Sequence, residues 1–116
     1  MKEFPEILAS GGVPIRDRRR AAMDPEEMAD AYVREADALA SRKRYEEAIA
    51  GYDRAIGVYP ECSEAWTNKA IVLRVMGKFQ EALECAEKAL EIGPSPIAEA
   101  LCDNLIDELR RKGIIR

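Results

Sequence analysis

Apolar and small residues return every three to four positions over five separate stretches of this chain. Met28, Ala31, Tyr32, Ala36 and Leu39 make the first stripe. That period puts them on one face of an amphipathic helix, predicted over 25–41. Asp24 is placed to cap it, Pro25 suits its first position, and Glu26 and Glu27 face the positive end of the helix dipole. Arg42, Lys43 and Arg44 close it at the negative end. Tyr45 opens a second helix with Ala48, Ile49, Tyr52, Ala55 and Ile56 as its stripe, and Pro60 ends it. A third carries Trp66, Ala70, Val72 and Leu73 and stops at Met76-Gly77, where glycine can take the left-handed conformation of a helix end. A fourth runs from Phe79 through Ala82, Leu83, Ala86, Ala89 and Leu90 to Pro94. Ser95-Pro96 is a second cap-plus-proline start. Ile97, Leu101, Leu105 and Leu109 follow at a spacing of four, and Gly113 stops this fifth helix. Ile114 and Ile115 are set to fold back on its last turn. Five helices joined by short turns predict an all-α domain.

The first 23 residues have no such period. They hold Phe4-Pro5, Gly11-Gly12, Pro14 and the run Arg16-Asp17-Arg18-Arg19-Arg20, and read as a flexible N-terminal tail ahead of a domain over 24–116. Met23 is a second plausible start, because the helix begins directly after it.

Composition narrows the chemistry. The chain has 116 residues, with 47% hydrophobic and 34% charged, which suits one small folded domain. There is no histidine, so histidine bases, catalytic triads and most zinc sites are excluded. Cys62, Cys85 and Cys102 are odd in number and widely spaced, which fits neither a disulfide framework nor a metal cage. They read as small core side chains in a reducing compartment. No signal segment or long apolar run stands out, so a cytoplasmic protein is expected. The net charge of −4 argues against nucleic acid. Arg16, Arg18, Arg19 and Arg20 could touch RNA, an acidic partner or a membrane surface, but no aromatic is interleaved and Asp17 interrupts the run, so it reads as a solvated tail. No P-loop, nucleophile elbow or phosphate-binding glycine loop occurs, and no cofactor is expected. An enzyme is not expected.

The decisive pattern is a period of 34 residues. Laying 29–62 over 63–96 without a gap pairs Tyr32 with Trp66, Tyr45 with Phe79 and Ile49 with Leu83. Seven positions are identical: Ala31/Ala65, Ala36/Ala70, Leu39/Leu73, Glu47/Glu81, Ala48/Ala82, Ala55/Ala89 and Pro60/Pro94. Composition alone gives about two or three. Small and large positions thus recur in register. The sequence Trp66…Ala70…Leu73…Phe79…Ala82…Ala86…Ala89…Pro94 resembles the tetratricopeptide repeat family. Two copies, 29–62 and 63–96, are followed by a stretch similar to that family's capping helix, over 96–112. Two departures are plain. A leucine position of the repeat holds Glu35 and Lys69, and the turn glycine of the second copy, Gly77, is Lys43 in the first. A lysine forced to positive φ costs on the order of 1 kcal/mol.

The resemblance implies a right-handed superhelical array of antiparallel helix pairs, an α-solenoid. It implies a protein–protein interaction module, an adaptor, scaffold or co-chaperone-like protein, that holds a peptide or helix of a partner in its concave groove. By family register the groove positions would be Asp30, Val33, Arg34, Asp37 and Ser41 of the first repeat, Glu64, Thr67, Asn68, Ile71 and Val75 of the second, and Ala98, Leu101, Cys102 and Leu105 of the cap, with Val33, Arg34, Asp37, Thr67, Asn68, Ile71, Leu101 and Cys102 as the ligand-groove residues. Asn68 matches the asparagine that bonds a bound peptide's backbone in relatives. Some relatives clamp a C-terminal carboxylate with basic residues and asparagines. The matching positions here are Val33, Asp37, Asn68, Ala98 and Cys102, and Asp37 would repel such a tail. A short groove suggests micromolar affinity, about −8 kcal/mol. The alternative is a self-associating assembly protein, a homo-oligomer that uses the uncovered face of the first repeat. No membrane and no nucleic acid are expected among the partners.

Overall fold

The computed structural model describes residues 24–114. The expected tail, the alternative start at Met23 and Ile115 lie outside the described residues. Five helices follow in order: α1 (Pro25–Ser41), α2 (Tyr45–Val58), α3 (Ser63–Val75), α4 (Phe79–Ile92) and α5 (Pro96–Arg111). The described residues are all helix and turn, and they form a solenoid of stacked helix pairs.

The ends of the helices follow from their residues. Asp24 and Glu27 form a reciprocal capping box: Glu27 N–H donates to Asp24 Oδ1 at 2.9 Å and Asp24 N–H to Glu27 Oε1 at 3.3 Å. Ser95 Oγ accepts from the Ala98 N–H at 3.2 Å, with Pro96 in the first helical position. α1, α3 and α5 all stop in the same way. A residue at positive φ follows the C-cap: Lys43 at 64°, Gly77 at 83° and Gly113 at 75°. The next N–H in each case reaches back to a carbonyl of the last turn, Arg44 to Leu39, Lys78 to Leu73 and Ile114 to Leu109, each at 2.9 Å. Lys43 therefore does carry the strain anticipated for a side chain in a glycine position. α2 and α4 end differently. Tyr59 and Gly93 are extended, as a residue before proline must be, and Pro60 and Pro94 stop the helices there. α3 begins at Ser63, a turn ahead of Trp66.

The paired helices meet through small side chains. Ala36, Ala48 and Ala55 are wholly buried in the first pair, and Ala70, Ala82 and Ala89 in the second. α1 and α2 come so close at Gly51 that a Cβ there would stand 2.9 Å from Ala36 Cβ. Around this seam the core falls into two clusters. One is centred on Val33, Tyr52, Cys62 and Val72, the other on Leu73, Cys85, Leu101 and Leu105, and Ile49 touches both. Tyr45 and Phe79 are half-buried wedges at matching places, with the Lys112 ammonium 5.3 Å from the Phe79 ring centre.

Side by side, α1 touches α3 and α3 touches α5, whereas α2 and α4 do not meet among the described residues. The stack therefore bends with α1, α3 and α5 on its inner side. α2 and α4 stand apart on the outer side over α3.

The seam gives a contrast between two glycines of one helix. Gly51→Val should destabilise by about 1–3 kcal/mol through overpacking against Ala36. Gly57→Ala, with nothing within 4 Å of its new methyl, should stabilise by about 0.5–1 kcal/mol. Urea unfolding followed by circular dichroism reads both. A Gly51→Val protein as stable as the parent would mean that the helices are not held at this distance.

Candidate interaction surface

The inner face has a hollow of about 300 Å³ where α1 meets α3, lined by Asp37, Ala40, Ser41, Tyr52, Asn68, Ile71 and Val72. Asp37 organises it. The Tyr52 hydroxyl, from α2, donates to Asp37 Oδ1. Asn68 Nδ2, from α3, donates to the same oxygen at 3.2 Å. One carboxylate thereby joins three helices and both repeats. Tyr52 is 1% exposed, so its ring belongs to the core while its hydroxyl reaches the hollow. Ser41 closes the rim by donating from Oγ to the Asp37 carbonyl at 3.1 Å. A similar polar link follows along the stack, where Arg74 Nη1 donates to Asn104 Oδ1 at 2.9 Å between α3 and α5.

The expected groove residues divide in two. Arg34 is exposed, and Asp37, Asn68 and Ile71 are half-buried on the inner face. Val33, Thr67, Leu101 and Cys102 are core instead, each less than a tenth exposed, and a ligand cannot reach them as the register implied. Val33 packs into the first cluster and Thr67 returns its hydroxyl to the Ser63 carbonyl at 2.9 Å. Leu101 and Cys102, with Ala98 and Leu105, are buried because α5 packs on α4 as well as α3 and turns this face inward. The hollow takes none of its lining from this helix. The uncovered face expected at the first repeat does not include Val33, which is buried. Tyr32 beside it is half-buried, with the Arg54 guanidinium 5.6 Å from its ring centre.

The outer side holds a larger cleft of about 570 Å³ between α2 and α4, floored by Trp66, Lys69 and Leu73. Lys69 sits at a leucine position of the repeat and is held there by Asp53 at 2.6 Å, with its ammonium 6.0 Å from the Trp66 ring centre. Cys85 lies in this cleft but is buried, and burial pushes its thiol up despite Lys69 nearby. Burial also raises the Cys62 and Cys102 thiols, with Glu64 and Asp30 adding to it at Cys62 and Glu87 and Asp103 at Cys102. Burial thus makes all three thiols harder to ionise. Among the described residues no group of three or more cysteine, aspartate or glutamate side chains is placed to hold a metal ion.

Two tetratricopeptide repeat models match the sequence, one over residues 63–96 and one over 29–72. The chain belongs to the tetratricopeptide repeat family. The match over 63–96 spans one period of 34 residues. An uncharacterised protein of Methanocaldococcus jannaschii is 31% identical over 64 residues, which are 55% of this chain and 74% of that protein. Among solved structures, the fold is similar to YrrB, described as a tetratricopeptide repeat protein with an unusual peptide-binding site. The TM-score is 0.66 at 25% identity over 72% of this chain, which spans 43% of YrrB. As a tetratricopeptide repeat protein, the chain is a protein-interaction repeat module. No described helix is long and apolar enough to cross a membrane.

By period Tyr52 belongs to the apolar stripe of α2, and its hydroxyl at Asp37 comes only from the structure. A signal existed: the tetratricopeptide register sets Tyr52 opposite Ala86, so a small position of one copy is a phenol in the other.

The Tyr52 phenol is pushed above the ordinary tyrosine value of 10.0 first by burial, then by its bond to Asp37 and by the charges of Asp37 and Glu64. Above that ordinary value the unfolded chain releases a proton that the folded one keeps, so stability falls as pH rises. The contribution is whole below pH 10. Tyr52→Phe should cost about 1–2 kcal/mol at neutral pH. It should also flatten the alkaline loss in urea unfolding curves taken across that range. Parallel curves for the two proteins would show that the phenol is not held by the fold.

Proposed function

We propose that this module is a non-catalytic adaptor that receives a segment of another protein, a peptide or a helix, on its inner face across α1 and α3. The observation that carries the reading is the hollow built around Asp37. Polar groups from three helices converge there beside the apolar Ala40, Ile71 and Val72, a combination suited to holding and orienting a chain. Asn68 uses one amide hydrogen on Asp37, and its Oδ1 accepts no hydrogen bond among the described residues. It is therefore oriented rather than idle, with an acceptor for a backbone N–H. YrrB binds a peptide at an unusual site, and its likeness to this chain adds support. The non-catalytic part of the reading is supported by the burial of the three cysteines and by the lack of histidine in the sequence.

The chaperone-tail clamp does not suit this face. Of the matching positions Val33, Ala98 and Cys102 are buried and Asp37 carries the wrong charge. Self-association through the first helix is the weaker alternative. The large apolar side chains exposed among the described residues are Val75, Ile92, Ile97 and Ile114, and none belongs to α1.

A photo-crosslinking residue decides between the two faces. Placed at Ser41 on the rim of the hollow, it should give in native extract one discrete adduct that Ile71→Asp removes. Placed at Glu46 in the outer cleft, it should give none. An adduct from Glu46 alone would transfer the binding surface to the outer side.

A further inference from the structure

The charge class of the received segment can be read from the hollow itself. Asp37 is the only charged residue among those that line it. Both hydrogen bonds to its carboxylate, from Tyr52 and from Asn68, fall on Oδ1. Oδ2 accepts none among the described residues, and Asp37 makes no ion pair there either. Arg34, one turn earlier on α1, is exposed and does not neutralise it. Pinning one oxygen from two helices fixes the plane of the carboxylate, so its second oxygen is offered without further ordering. A carboxylate in this state is matched by a donor that is also a cation. The walls of Ala40, Ile71 and Val72 match the methylene stem that a long basic side chain lays on apolar surface.

We propose that Asp37 is the recognition point for a basic side chain, the ammonium of a lysine or the guanidinium of an arginine, carried by the protein segment that docks on the inner face. The proposal rests on the reading of that face as the docking surface. It gives the surface a selectivity opposite to that of a carboxylate clamp. The segment's cation lies against Asp37 Oδ2, its stem lies over Ile71 and Val72, and the backbone beside it reaches Asn68 Oδ1. Because the attraction is between charges, binding weakens as salt is added.

The test is a phage-displayed library of random dodecapeptides, panned on the full chain. Selected peptides are then synthesised, measured by fluorescence anisotropy and mapped by the NMR shift of the Asn68 side-chain amide. The selected peptides should carry a lysine or arginine and move that amide. Replacing the basic residue by norleucine should weaken binding about tenfold to a hundredfold. Asp37→Asn should weaken it as much, and the two changes together should cost little more than either alone. Asparagine keeps Oδ1 as the acceptor for Tyr52 and Asn68, so an unchanged circular dichroism spectrum shows that the fold is retained. Peptides that move the Asn68 amide without a basic residue, and that bind Asp37→Asn as tightly, would overturn the cation and leave the docking surface standing. Peptides that move only signals from the cleft of Trp66 and Lys69 would overturn both.

Discussion

The Asp37 carboxylate is the point at which the pieces of this small stack are tied to one another. It stands on α1, takes a hydroxyl from α2 and an amide from α3, and so spans a helix pair and the joint to the next pair. Each of those reaches depends on spacing set elsewhere. Tyr52 can extend from the core to Asp37 because α1 and α2 are drawn together at Gly51 and Ala36. Asn68 faces Asp37 because α3 lies beside α1, after a second helix stopped by Pro60. An array of two repeats and a cap has few interfaces over which to spread its cooperativity, so a polar tie across the repeat joint carries more weight than in a long solenoid.

The same tie gives the inner face its chemistry. A half-buried carboxylate needs donors, and here the protein supplies two of them to one oxygen. That arrangement holds the carboxylate in one place at the centre of the hollow. The outer cleft is larger, yet Asp53 already holds Lys69 there. What separates the two is Asp37 Oδ2, which accepts no hydrogen bond among the described residues.

Much of the fold was legible in the sequence, because repeat spacing, proline and glycine act locally. The boundaries at Pro25, Tyr45, Phe79 and Pro96 follow from capping and punctuation, and the strained turn at Lys43 from its alignment with Gly77. The lining of the inner face was legible only in part. Register gives the side of a helix that a residue occupies, and it puts Asp37, Asn68 and Ile71 on the side where the hollow lies. It does not give the depth at which the next helix covers that side. Leu101 and Cys102 were lost to the core because α5 packs on two helices at once, and Val33 and Thr67 because α1 and α3 lie close together. Tyr52 escaped because hydrophobic periodicity sees its ring and not its hydroxyl.

Asp37 and Asn68 hold the two repeats together across their joint. A double-mutant cycle measures this directly: urea unfolding of the parent, Asp37→Ala, Asn68→Ala and the double variant. The coupling should be about 0.5–2 kcal/mol, with the double variant less destabilised than the sum of the singles. Strict additivity would mean that the two side chains act independently, and would contradict it.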